Sequence, residues 1–76
     1  MSYTSLGALT RQYVTNAGIA ESLVAKLEAA AAAAERGNDN AKNGQLGAYR
    51  NELEAQAGKS ITAERARTLI RLASAL

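Results

Sequence analysis

The side chains here that could do chemistry are seven carboxylates, nine lysines or arginines, three tyrosines and a scatter of serine, threonine and asparagine, with no histidine and no cysteine. Nucleophilic triads need a base of matched pKa beside a serine or cysteine, so their common forms are excluded. Paired carboxylates are the next candidates for acid-base work. Glu52 and Glu54 are two apart on a helical stretch and so face different ways, whereas Glu21, Glu28 and Glu35 recur every seven residues and line one flank. That spacing describes a solvated edge rather than an acid-base pair.

Metal and phosphate chemistry fare no better. Asp39 with Asn38, Asn40 and Asn43 lacks the carboxylate density and glycine placement of a calcium loop. No glycine-rich phosphate cradle follows a strand, because no segment alternates with period two. The residues therefore point to no enzyme activity, metal or cofactor.

Charge leaves one further class to weigh. Residues 59–76 hold four Lys or Arg against one Glu, while the rest of the chain is close to neutral and the whole comes to +2. A basic helix carrying Arg65, Arg67 and Arg71 could lie along phosphates. There is, however, neither a helix-turn-helix signature nor an interleaved aromatic platform, so nucleic acid is a disfavoured partner. The bland reading is a solvated face whose long stems cover apolar surface.

The aromatics are Tyr3, Tyr13 and Tyr49, all on expected apolar faces, which makes core or half-core tyrosine the default. The sharper alternative is a ligand contact in which Tyr49, with Asn43 and Arg50 nearby, offers a flat face and hydrogen-bonding tips to a sugar or a protein. The spacing does not choose between the two.

Four helices are expected to position these groups. Tyr3, Leu6, Leu9, Tyr13 and Val14 share a face of a first helix over about residues 3–14. Asn16 then caps a second that extends to Arg36, with Ile19, Leu23 and Leu27 four apart and Ala30, Ala31 and Ala34 continuing the stripe. Its alanine-rich end holds the helix and admits a close neighbour. Gly37 stops it, and Asn38 or Asp39 caps a third helix over about 39–57, with Ala41, Leu46, Tyr49 and Leu53 on one side. Gly44 and Gly47 either weaken that helix or permit close packing. Gly58 stops it in turn, and Thr62 caps a fourth helix over about 63–75, whose stripe is Ala66, Leu69, Ile70, Ala73 and Leu76. Ile61 precedes that cap as a hydrophobic staple.

The expected architecture is an all-α, small antiparallel helical bundle of three main helices plus a short N-terminal helix. That first helix is the shortest and least secure in this reading, with helices two, three and four forming the packed unit. Length fits a single domain, 1–76, held by core packing without disulfides or zinc. No run of about 18 apolar residues is present to span a membrane, and the N-terminus lacks the basic stretch and apolar core of a signal peptide. The chain reads as a piece of a longer protein.

With Gly18-Ile19-Ala20, Leu23, Lys26-Leu27, Ala30, Arg36-Gly37-Asn38, Ala41, Leu46, Leu53, Gln56, Gly58-Lys59 and Ile61-Thr62, the sequence resembles the FIMAH-type helical domain over about residues 6–76. It departs from the family pattern at Tyr49 and Arg50, where Phe and an aliphatic are usual, and in a shorter link before Thr15. The resemblance implies an appended, non-catalytic accessory module of a secreted bacterial enzyme, often a polysaccharide-degrading hydrolase or a peptidase. Extracellular localisation and contact with a polysaccharide or a neighbouring protein domain follow from the resemblance alone. The alternative is a purely structural spacer or self-associating bundle.

Overall fold

The computed structural model describes residues 1–76 and contains four helices: α1 (Tyr3–Tyr13), α2 (Ala17–Glu35), α3 (Asp39–Gln56) and α4 (Ala63–Ala73). Each begins at a side chain that accepts from an amide of the first turn: Ser2, Asn16, Asn38 and Thr62. Ser2 and Ser5 cap each other reciprocally, a start signal the apolar spacing alone does not show. Of the two candidates for the third cap, Asn38 does the capping, and Asp39 begins the helix where its charge suits the dipole.

The stops are equally local. Gly37, at φ 72°, closes α2 with bonds from its own amide to the Ala34 carbonyl (3.1 Å) and from Asn38 to Ala33 (2.9 Å), the double closure of a Schellman turn. Gly58, at φ 83°, donates to the Ile61 carbonyl (2.7 Å), and a short parallel bridge joins Ala57 to Ile61. Those bonds fold Ile61 back into the core, where it is 3% exposed.

Gly44 differs from these two. It lies inside α3 with nothing within 4 Å of where a Cβ would stand, so it weakens the helix without admitting a neighbour. Gly44→Ala should therefore stabilise the domain by about 0.5–1 kcal/mol, whereas Gly58→Ala should cost about 1–2 kcal/mol through its left-handed backbone. Chemical denaturation of the two variants checks this, and a shift of the same sign at both positions would contradict it.

α2 and α3 form an antiparallel hairpin. Ser22 and Lys26 of α2 meet Glu52 of α3, and Ser22 and Glu52 lie equally far in sequence from Gly37. Lys26 Nζ sits 2.9 Å from Glu52 and also donates to the Ser22 hydroxyl, in a half-buried cluster. Towards its end the buried line of α2 runs through Ala30 and Ala33, while Ala31 and Ala34, expected in the stripe, are half-buried. Ala33 follows Lys26 by seven residues and so lies on the α3 flank, which stays covered along the hairpin. Ala31 follows Val24 by seven and lies on the α1 flank, where the shorter α1 leaves a groove.

The expectation that helices two, three and four form the packed unit needs correction. α1 packs against both α2 and α4, and α3 packs against α2 and α4, so the four helices close a ring. α1 has eleven residues, as many as α4, and its Leu6 and Thr10 are fully buried. Leu6 joins Leu23, Leu27, Leu46, Tyr49, Leu53, Ile61 and Leu69 in one core. The reason is the short link: Val14 is buried, and the Thr15 amide (2.8 Å) and hydroxyl (3.0 Å) both donate to the Ser60 carbonyl, tying the α1–α2 link to the α3–α4 link.

Candidate functional site

Tyr49, one of the three residues considered for ligand contact, is 0% exposed and cannot present a face to a ligand. Its position on α3 points it across the middle of the ring to α1, where its hydroxyl lies 2.8 Å from Thr10 Oγ1. Thr10 donates its single proton to the Leu6 carbonyl (2.8 Å), which leaves Tyr49 as donor to Thr10. The buried hydroxyls are thereby satisfied across the diagonal of the bundle, and the ring is structural. Burial pushes the Tyr49 phenol up to about 12.

Tyr49→Phe should cost about 0.5–1.5 kcal/mol near neutral pH, the usual net value of one hydrogen bond. Because the folded value lies above the ordinary 10.0, the neutral ring's contribution is fully present below pH 10 and is lost as pH rises towards about 12. Urea unfolding at pH 8 and pH 11.5 should show a steeper alkaline loss in the unchanged chain than in Tyr49→Phe. Identical losses would contradict this placement.

The other two candidate contact residues stand apart from Tyr49. Asn43 is exposed and Arg50 half-buried, seven residues apart on one outer face of α3. Arg50 passes beside Gly47, its guanidinium 3.9 Å from where a Cβ there would stand. Neither residue lines a concave surface.

Two concavities exist elsewhere. The larger, about 360 Å³, is the groove between α1 and α2, walled by Tyr3, Gly7, Ala8, Val24, Leu27 and Ala31 with Thr4, Arg11 and Glu28 at its rim. It opens because Gly7, Ala8 and Ala31 leave little side chain between the helices. The Tyr3 hydroxyl is buried with no hydrogen-bond partner. Arg11 also bridges to Glu21 across the helix pair, and the hydrogen bond and charge between them raise the arginine pKa and lower that of the glutamate. Both side chains are solvated, so the pair orients the rim more than it stabilises the fold.

The smaller concavity, about 190 Å³, lies where the two tied links meet and is lined by Tyr13, Thr15, Gly58, Lys59, Ser60, Ile61, Thr62 and Arg65. The Arg65 guanidinium carbon lies over the Tyr13 ring, 4.8 Å from its centre, as a cation–π contact. Of the three arginines considered on α4, Arg65 alone turns into this cleft, while Arg67 and Arg71 are exposed away from it. Of the lining residues only Thr62 carried a capping signal, as the cap of α4. Nothing in the periodicity brings residues 13–15 against 58–65.

No group of three or more His, Cys, Asp or Glu side chains converges to hold a metal ion, and no helix is long and apolar enough to cross a membrane. Asn38, in the asparagine-rich stretch weighed as a calcium loop, uses its side-chain oxygen to cap α3 through the Ala41 amide at 3.0 Å. No curated protein and no solved structure shows detectable similarity to the chain. The FIMAH domain profile matches residues 4–76, and with almost the whole sequence inside that match, all four helices except the first residue of α1, the chain belongs to the FIMAH domain family.

Proposed function

We propose that this domain is a non-catalytic ancillary module of an extracellular bacterial enzyme, holding that enzyme against carbohydrate or a neighbouring protein. The observation that supports this most directly is the division of labour among polar groups. The buried hydroxyls of Thr10 and Tyr49 and the Ser22, Lys26 and Glu52 cluster hold helices together. Tyr3 and Tyr13, with Thr4, Arg11, Thr15, Lys59 and Arg65, line two surface concavities on a frame closed by four helices. Such an arrangement offers contact without a reacting constellation.

A structural spacer is the second reading, favoured by the elongated body of 34 × 19 × 17 Å. Kinetics of the parent enzyme with and without residues 1–76 distinguish the two. The contact reading expects deletion to raise KM on the polymeric substrate and to leave kcat on a short soluble substrate unchanged. An unchanged KM on the polymer would favour the spacer.

A further inference from the structure

We infer that the cleft between the two links is a subsite for an anionic sugar, specifically the carboxylate of a uronic acid unit in an acidic polysaccharide. This rests on the contact reading above and names its surface and ligand chemistry. Three features of the cleft converge. First, Lys59 and Arg65 both line it, and neither takes part in either of the ion pairs of the molecule. No carboxylate is among the lining residues, and Glu64, the one acid in residues 59–76, is exposed outside it. The concave surface therefore holds two uncompensated cations.

Second, Arg65 is positioned rather than loose. Its guanidinium carbon stands over the Tyr13 ring at 4.8 Å, and its N–H groups take part in neither ion pair of the molecule, which leaves them to donate. Those groups match a carboxylate in the two-pronged manner a planar fork allows. Third, the floor is fixed before any ligand arrives. Thr15 makes two hydrogen bonds to the Ser60 carbonyl, and Ser60 donates its hydroxyl to Gln56 at 2.9 Å, so both links keep one geometry.

The same features argue against nucleic acid. The one aromatic face in the cleft is covered by Arg65, leaving no stacking platform for a base. The concavity, at about 190 Å³, is a local recess and not a groove that follows a phosphate backbone. One carboxylated ring in a hydroxyl-rich polymer suits it better.

Titration of the 76-residue chain with an oligogalacturonate, a neutral oligosaccharide of equal length and a mixed-sequence oligonucleotide tests the assignment. Saturable binding of the oligogalacturonate alone is expected. Lys59→Gln and Arg65→Gln should each weaken it by about tenfold or more, as loss of a charge-assisted hydrogen bond does. Arg67→Gln and Arg71→Gln, which remove the same charge from the outer face of α4, should change it by under about threefold. Circular dichroism establishes that each variant is folded, and Lys59→Gln stands without the Tyr13 contact should Arg65→Gln lose stability. Equal losses from the outer arginines, tighter binding of the oligonucleotide, or no saturable binding of the oligogalacturonate would overturn the subsite. Saturable binding of the neutral oligosaccharide with no effect of Lys59→Gln would overturn it too, while leaving the ancillary reading intact.

Discussion

Removal of residues 1–14 is expected to leave no cooperatively folding remainder. Leu6 and Thr10 of α1 are fully buried, Val14 is 6% exposed, and Leu6 packs in the same core as Leu23, Leu27, Tyr49 and Leu69. Deleting α1 would uncover that side of the core and leave the Tyr49 hydroxyl without Thr10. Loss of Leu6 and Val14 burial alone amounts to about 3–6 kcal/mol at the usual value per side chain. A core of this size supports a net stability of only about 3–5 kcal/mol. Thermal unfolding of residues 15–76 followed by circular dichroism should give a broad, non-sigmoidal trace with reduced helicity. A sharp transition with the helicity of α2, α3 and α4 retained would show that those three form the packed unit after all.

Leu27→Ala should be nearly as damaging. Leu27 is 1% exposed, at the centre of α2, and touches both the core and the wall of the α1–α2 groove. Truncation removes the transfer free energy of the lost carbons and leaves a cavity, together costing about 2–5 kcal/mol. That range spans the expected stability of the whole domain. Glu28, the next residue, is exposed and unpaired, and Glu28→Ala should cost under about 0.5 kcal/mol. Urea denaturation of the two neighbours compares the inside and outside of one helix directly. Equal midpoints would mean that the helical phase of α2 is wrong.

Much of the fold is legible in the sequence because its signals are local. Asn16, Asn38 and Thr62 cap helices where their types suggest, and Gly37 and Gly58 adopt the positive φ that stops a helix. Burial of Leu23, Leu27, Leu53 and Leu69 follows from three- and four-residue spacing. The status of α1 was not legible in the same way. Its eleven residues offer a modest apolar stripe, and what secures it is non-local: the Thr10 to Tyr49 hydrogen bond and the Thr15 to Ser60 tie. Periodicity reports which face of a helix is apolar, and it is silent on which other helix covers that face.

The same limit explains the site. Tyr49, Asn43 and Arg50 look like a cluster because they lie close in sequence, yet a helix turns residue 49 inward while 43 and 50 face out. The actual concavities join residues far apart in the chain, 3–11 with 24–31 and 13–15 with 58–65. Arg65 was visible as one of three arginines in a basic segment, but only the fold separates it from Arg67 and Arg71 by laying it on Tyr13.

Following retention and turnover in the same samples tests most directly the proposal that this domain makes contacts and performs no reaction. The isolated chain would be incubated with a panel of neutral and acidic polysaccharides and with the catalytic domain of the enzyme to which we propose it is appended, and both bound protein and newly formed reducing ends measured. Saturable retention by at least one member of the panel, with reducing ends at the level of the protein-free blank, is the predicted result. Release of reducing ends in proportion to the amount of folded chain, or no retention by any member, would contradict it.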